Sequence, residues 1–134
     1  MKGRILAGGI ADGVALVLDE PLSLWGGVDP ATGVIIDARH PQRGISVEGR
    51  VLVMRAVRGS SSSSSVLAES VRAGSAPAAI LLGEPDLILA VGAAVADELY
   101  GIRVPVLHLG SGELDAIADG ALVSVREGGE VTLR

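Results

Sequence analysis

The feature that most constrains the fold is an alternation of short apolar runs and helical segments in the middle of the chain. The runs at 50–54, 78–82 and 104–109 are almost continuously apolar, which is typical of strands buried within a sheet. Between them, helices are predicted at 66–74 and 92–101, each ending at a glycine. This order of strand, helix, strand, helix and strand predicts an α/β fold.

The remainder of the chain is predicted to consist mainly of strands and turns. Further strands are expected at 3–6, 14–18 and 34–37, and in a hairpin-like pair around Gly128 and Gly129. Residues 38–49 are polar and indicate a loop, whereas 87–91 fits either a strand or the start of the second helix. We therefore expect about nine strands and two clear helices. With no repeat and no linker, residues 1–134 are predicted to form one domain.

Composition excludes several classes of protein. Apolar residues make up 49% of the chain, but only Trp25 and Tyr100 are aromatic, so the core must be built from Val, Leu, Ile and Ala. The net charge of −5 argues against a nucleic-acid-binding surface, which needs clustered Lys and Arg. No stretch approaches the roughly 20 apolar residues of a membrane span, and no signal peptide is recognisable. We therefore expect a cytoplasmic protein without a membrane partner.

Cysteine is absent, which excludes disulfides and thiolate-held metal clusters within this chain. The chain has two histidines, His40 and His108, so a His-rich metal site is also disfavoured. If the protein serves metal chemistry, another chain must hold the metal.

Six consecutive serines, Ser60–Ser65, stand between the strand at 50–54 and the helix at 66–74. A flexible linker would be flanked by other disorder-promoting residues, so this run is predicted to form a strand-to-helix turn. We expect Gly59 to allow an unusual backbone angle or the close approach of a ligand. The first serine or two are expected to cap the helix, and the later serines to enter its first turn.

The same turn is a candidate anion-binding site. A helix start offers free backbone N–H groups and the positive end of the helix dipole, and Arg58 adds a cation beside it. A serine hydroxyl there could act as a nucleophile or base only if a neighbour or a partner activates it. The alternative is a helix cap with surplus solvated serines, and the residues alone do not separate the two interpretations.

The other conspicuous side chains are each expected to be structural. Trp25, next to Gly26 and Gly27, is predicted to be packed rather than to cap a pocket or anchor a partner. His40 is expected in a solvated loop, and His108 as a hydrogen-bonded structural histidine. Four acidic residues show no pairing typical of a catalytic dyad and are assigned to the surface: Asp86, Asp97, Glu98 and Asp115.

Several motifs occur together in one order, and they extend over almost the whole chain. They are WGGVDPATGVIID, HPQRG, GRVLV, RGSSSSSSVLAE, APAAILLGEPD and LAVGAAVADELYGIRVPVL. In this combination the chain resembles the small subunit, or swivelling domain, of aconitase X enzymes. The resemblance implies a swivelling β/β/α fold, like the mobile fourth domain of aconitase. It also implies a larger catalytic partner that carries an iron–sulfur cluster, with no cofactor in this chain.

The resemblance further implies hydro-lyase chemistry and a role for the serine turn. The base that removes the substrate proton would be Ser60, with Ser61 the close alternative. Substrate binding would involve Arg58, Gly59 and Ser62. Ordinary aconitases have an arginine at the position of Ser62, so another group must hold the substrate carboxylate. This chain also has RAVRG before the serines, where relatives often have proline and glycine.

Members of this family dehydrate either cis-3-hydroxy-L-proline or phosphomevalonate. The serine-rich form is more similar to the group that acts on hydroxyproline, which we therefore favour, with phosphomevalonate as the alternative. Two other classes of function compete with a dehydratase subunit. One is a stand-alone module that binds a small anion at the helix start. The other is a phosphohistidine-type carrier using His40 or His108, which we disfavour because neither lies at a glycine-rich exposed turn.

Overall fold

The computed structural model describes all residues from Met1 to Arg134. Its elements follow in the order β1 (Arg4–Ala7), β2 (Ala11–Val17), α1 (Leu24–Gly27), β3 (Val51–Met54), α2 (Ser63–Ala73), β4 (Ala79–Leu82), α3 (Leu87–Tyr100), β5 (Val106–His108), α4 (Ser111–Asp115), β6 (Leu122–Val125) and β7 (Val131–Leu133). No helix has the length and hydropathy needed to span a bilayer.

The strands form one seven-stranded sheet in the order β1-β5-β4-β3-β2-β6-β7. The four central strands, β2 to β5, are parallel, while β1, β6 and β7 pair antiparallel at the two sides. Because parallel strands end at the same side of a sheet, the segments that follow these four strands meet there. We call this side the carboxyl edge.

The continuously apolar runs are explained by burial on both faces of the sheet. Every residue of β3 and of β4 is buried. On one face, α2 and α3 contribute Leu67, Val71 and Leu89 to a core with Leu52 and Ile80. The opposite face has a second core, in which Leu114 and Ile117 pack against Val53, Leu81 and Leu107. Both cores are aliphatic, as the composition requires.

The central alternation of strands and helices is confirmed, with small changes in boundaries. The serines at 63–65 belong to α2, so this helix begins three residues before the predicted start at 66. The ambiguous segment 87–91 is the beginning of α3. The count of nine strands is too high, since the sheet has seven.

The strand predicted at 34–37 is wrong. Val34 and Ile35 form single bridges to two different partners, Ser46 and Val28, so no ladder develops. The positive φ of 75° at Gly33 turns the chain immediately before this segment. Residues in this region are therefore extended and partly buried without forming a strand of the sheet.

Helices α2 and α3 approach each other closely at Gly92. A Cβ atom built on Gly92 would lie 2.7 Å from the carbonyl oxygen of Ser64 and 3.0 Å from its Cα. Both neighbours are backbone atoms, which cannot rotate away as a side chain could. Glycine at this position therefore fixes how α2, with its serine-rich start, lies against α3.

We predict that Gly92→Ala lowers the free energy of unfolding by about 1–3 kcal/mol, because the added methyl group overpacks the contact between the helices. Helix propensity alone would predict a gain of about 1 kcal/mol, so the sign of the change is diagnostic. The measurement is urea denaturation followed by circular dichroism. Gly112→Ala in α4 is the control, since its Cβ would meet no atom within 4 Å. Equal stability of both variants would contradict the prediction.

Candidate functional site

The candidate site is the segment Arg58–Ser62, which we call the serine loop. It follows β3 at the carboxyl edge and leads directly into α2. Its backbone is held at both ends. The Arg58 N–H donates to the Leu22 carbonyl (3.3 Å), and the Ser63 N–H donates to the Ser60 carbonyl (3.0 Å).

The start of α2 differs from the prediction. Its N-cap is Ser62, which has helical dihedral angles, and no side chain caps the helix. A capping side chain needs an extended N-cap residue to reach the free N–H groups, and the turn at Ser60–Ser63 prevents this. The prediction that the first one or two serines cap the helix holds only for the turn before it, where Ser60 Oγ accepts from the Ser62 amide; no serine side chain accepts from the amides of the first helical turn, which the later serines do form.

Without a cap, the first turn of α2 retains free hydrogen-bond donors. The amides of Ser64 and Ser65 have no backbone or side-chain acceptor. Helix N-termini that keep such donors attract anions, because the unpaired N–H groups carry the positive end of the helix dipole. The electrostatic property expected from the sequence is thus present, although the capping residue is different.

The serines have distinct environments. The Oγ atom of Ser60 accepts a hydrogen bond from the Ser62 amide at 3.3 Å. Ser63 is fully buried, and its Oγ accepts from the Trp25 amide at 3.3 Å. The hydroxyl of Ser64 donates to the Ser61 carbonyl at 3.1 Å. The hydroxyls of Ser60, Ser61 and Ser62 therefore lie in the loop, where an incoming group could reach them, and that of Ser65 is exposed in the first turn of α2.

Gly59 does not have the unusual backbone angle expected of it. It is absent from the glycines with positive φ, and a Cβ at this position would meet no atom within 4 Å. Nothing within this chain therefore requires glycine here. The other role expected of Gly59, the close approach of a ligand or partner, stays a prediction.

Arg58 is exposed and is in none of the ion pairs of the structure. By contrast, Arg55 at the end of β3 is paired with Asp115 of α4. On α2, the hydrogen bond from Arg72 lowers the pKa of Glu69, and the two side chains form an ion pair with each other. The guanidinium of Arg58 is thus the available cation of the serine loop.

The serine loop does not line a cavity of its own. A cavity of about 250 Å³ at the carboxyl edge is lined by Arg55, Asp19 and Asp115, among others. A groove of about 240 Å³ between α2 and α3 is lined by Ser64, Ser65, Ala68, Glu69, Val95 and Tyr100. Residues 58–62 line neither of these, nor the two smaller cavities. The predicted site residues are together on one exposed loop, and a second surface would be needed to enclose them.

The prediction that Trp25 is packed is wrong, since 59% of the residue is exposed. Trp25 and Gly26 have φ,ψ angles of −71°, 119° and 76°, −11°, which are those of the two central residues of a type II turn. Gly26 supplies the positive φ that such a turn needs. The sequence WGG was thus a turn signal, and the turn places the indole outside the core.

His40 was expected in solvent but is 5% exposed. Its Nε2 donates to the Glu20 carbonyl (2.9 Å), and its Nδ1 accepts from the Gln42 amide (3.1 Å). The side chain of Gln42 also bonds to the backbone of Val17 and Asp19. The HPQRG segment therefore supports the chain that follows β2, a role that sequence reasoning missed because the partners are about 20 residues away.

The assignment of His108 as structural is confirmed by its contact of 3.2 Å from Nε2 to the Gly83 carbonyl. Both histidines are therefore engaged in the fold, which disfavours a phosphohistidine carrier. Of the acidic residues assigned to the surface, Asp86 has a structural role: its side chain accepts from the Leu89 amide (2.9 Å) and caps α3.

Comparison with known proteins places this architecture in one class, a swivelling domain of the aconitase type. The family model of the aconitase X swivel domain matches residues 1–133. The chain therefore belongs to the aconitase X swivel domain family. The resemblance and the fold class inferred from the sequence are thereby confirmed.

Two relatives differ in how much of their length this chain covers. A cis-3-hydroxy-L-proline dehydratase of Pseudomonas aeruginosa is 48% identical over 126 residues, which are 89% of this chain but 22% of the relative. A phosphomevalonate dehydratase small subunit of Thermococcus onnurineus is 41% identical over 128 residues, covering 95% of this chain and 98% of the relative.

Solved structures agree with the fold. The crystal structure of Thermococcus kodakaraensis aconitase X in its holo form superposes with a TM-score of 0.87 at 36% identity, covering 99% of this chain and 96% of that chain. A solution NMR structure has a TM-score of 0.88 at 34% identity and covers 100% of this chain.

The residues of this chain do not fit an iron–sulfur cluster. Cysteine, the usual cluster ligand, is absent. No group of three or more His, Asp or Glu side chains is placed to hold a metal ion.

The missing cap leads to a prediction about two helices. We expect Ser62→Ala to change the free energy of unfolding by less than about 0.5 kcal/mol, because Ser62 makes no capping bond. Asp86→Ala should lower it by about 1 kcal/mol, because the bond to the Leu89 amide is lost. Thermal and urea denaturation of both variants test this. A larger loss for Ser62→Ala than for Asp86→Ala would show that the serine is a cap in solution.

Proposed function

We propose that this chain is the small, swivelling subunit of an aconitase X-type hydro-lyase and supplies the base that removes a substrate proton. The observation that carries the proposal is the family match over almost the whole chain, joined to an exposed serine loop that lines no cavity. Such a loop suits a domain that contributes one half of an active site. A self-contained small-anion module is less well supported, because a ligand would be bound on one side only.

Ser60 is our candidate for the base, with Ser61 as the alternative. Dehydration of a hydroxy acid needs a base for the proton next to the carboxylate. An alkoxide-like serine is a poor base unless donors and positive charge stabilise it. Ser60 has such a donor in the Ser62 amide at 3.3 Å, whereas the hydroxyl of Ser61 has none within the chain.

Three neighbours would hold the substrate. Arg58 offers an unpaired guanidinium, suited to a carboxylate. Gly59 would allow the substrate or the partner to approach the backbone, and the hydroxyl of Ser62 would donate a hydrogen bond to the substrate. The free amides of Ser64 and Ser65 add to the positive potential at this end of α2.

The remaining chemistry is assigned to a larger partner. The leaving hydroxyl group needs a Lewis acid, and no side-chain cluster in this chain could hold a metal. We assign an iron–sulfur cluster to that partner. Docking of the two parts would exclude water from the serine loop and align the base with the substrate.

We propose cis-3-hydroxy-L-proline as the substrate, with phosphomevalonate as the second candidate. The 48% identity to a cis-3-hydroxy-L-proline dehydratase supports the first. The charge of the serine loop also supports it, since Arg58 is unpaired while Arg55 is occupied by Asp115. One cation suffices for the carboxylate of an amino acid, whereas a phosphate dianion is usually held by several donors and cations.

We predict that Ser60→Ala in the complex with the aconitase X large subunit lowers kcat about 10²–10⁴-fold, because the base is lost. The assay is dehydration of cis-3-hydroxy-L-proline, with phosphomevalonate tested in parallel. Ser61→Ala should cost much less. Full activity of both variants would contradict the assignment of the base, and a complex active only on phosphomevalonate would contradict the substrate.

A second prediction concerns Gly59. We expect Gly59→Ala to leave the free energy of unfolding within about 0.5 kcal/mol of the parent, since the added methyl group meets open space. It should nevertheless lower kcat/KM in the complex at least about tenfold, because the methyl group occupies the approach to the backbone. Gly112→Ala is the matched control, as its Cβ also meets no atom within 4 Å. Unchanged kcat/KM would show that nothing approaches Gly59 closely.

A further inference from the structure

Three large apolar side chains are exposed on the two elements that adjoin the start of α2, namely the turn at Trp25 and the first part of α3. They are Trp25 (59% exposed), Leu87 (69%) and Val91 (54%). We call these three residues the apolar collar. Large exposed apolar groups in one place mark interaction surfaces more often than isolated ones do. Tryptophan in particular is enriched among residues that contribute most to binding.

Trp25 is held in a fixed position on one flank of the serine loop. Its amide donates to Ser63 Oγ at 3.3 Å, and its carbonyl accepts from Ser23 Oγ at 3.1 Å. The backbone is therefore tied to the first residue of α2 while the indole stays outside the core. A side chain presented on a fixed backbone loses less entropy when it is bound than one on a mobile loop.

Leu87 and Val91 lie on the other flank, through α3. Helices α2 and α3 both run away from the carboxyl edge, and Gly92 lies against Ser64. The five residues before Gly92 therefore extend α3 roughly 6 Å beyond the start of α2, at 1.5 Å per residue. This first part of α3 includes two of the three collar residues, Leu87 and Val91, and extends past the start of α2 on the side where the serine loop enters it.

We propose that the apolar collar is the docking surface for the large catalytic part of the enzyme, which covers Trp25, Leu87 and Val91 when the serine loop meets its substrate. This inference rests on the proposed function. The P. aeruginosa relative supports the choice of occupant, because the region matched by this chain is 22% of that relative and the same polypeptide carries a much larger part that could cover it. Apolar side chains beside a polar centre, once covered by a partner, also help to exclude water from the polar groups, which favours proton abstraction.

The single tryptophan allows a direct test. The full chain is labelled with 5-fluorotryptophan and titrated with the aconitase X large subunit encoded in the same genome. We expect the one fluorine resonance to move on binding and to lose its H₂O/D₂O solvent shift, because Trp25 becomes buried. A solvent shift that persists in the complex would overturn the proposal.

Variants test the two flanks separately. Trp25→Ser should raise the dissociation constant about tenfold or more, and Leu87→Gln should raise it by a smaller factor. Leu99→Gln is the matched control: Leu99 is 64% exposed on the same helix but at the opposite edge of the sheet. Circular dichroism and thermal denaturation establish that each variant is folded. Equal affinity of Leu87→Gln and Leu99→Gln would overturn the docking surface on α3.

The outcomes separate this inference from the proposed function. A complex that depends on Ser60 for activity but binds Trp25→Ser and Leu87→Gln normally would overturn the collar alone. Failure to form any complex would overturn the proposed function and the inference together. A fluorine resonance that moves with the concentration of this chain alone would mean that a second copy covers the collar, and would also overturn it.

Discussion

The close contact between α2 and α3 at Gly92 determines where the parts of the candidate site lie. Because residue 92 has no side chain, the backbone of Ser64 rests directly on α3. This contact sets the position of the serine loop relative to the first turn of α3. Any larger side chain would separate the two helices and displace the loop from its neighbours. The geometry of the site thus depends on the missing Cβ atom at position 92, because hydrogen bonds within the loop could not restore the close approach of the two helices.

The parts of the fold that could be predicted from the sequence are those decided by local pattern and burial. Strands β3 and β4 are buried on both faces, so their apolar runs are continuous and easily recognised. The serine loop was also located correctly, because a strand pattern ends and a helix pattern begins on either side of it. Its residue-level roles were harder to predict, since they depend on which backbone groups each hydroxyl meets.

Two of the failed predictions, for His40 and Trp25, concern residues whose hydrogen-bond partners are far away in sequence. His40 was assigned to solvent because its neighbours in sequence are polar, yet it is bonded to the carbonyl of Glu20. Trp25 was assigned to the core because large apolar side chains are usually buried. Its turn instead exposes it, and the Ser63 hydroxyl that holds the turn is far away in sequence. Tertiary hydrogen bonds of this kind leave no periodic signal.

The uncapped start of α2 has a chemical consequence that explains why serine suits this turn. At α3, Asp86 caps the helix and satisfies the amide of Leu89. An aspartate at position 62 could not cap α2 in the same way, because the residue has helical dihedral angles, but its charge at the positive end of the helix dipole could stabilise α2 by up to about 1 kcal/mol. It would also place a negative charge where, in our proposal, a substrate carboxylate binds and Ser60 becomes alkoxide-like. Two like charges in that space would disfavour both. Serine keeps the hydroxyl, leaves the amides of Ser64 and Ser65 free, and adds no charge, at a modest cost in helix stability.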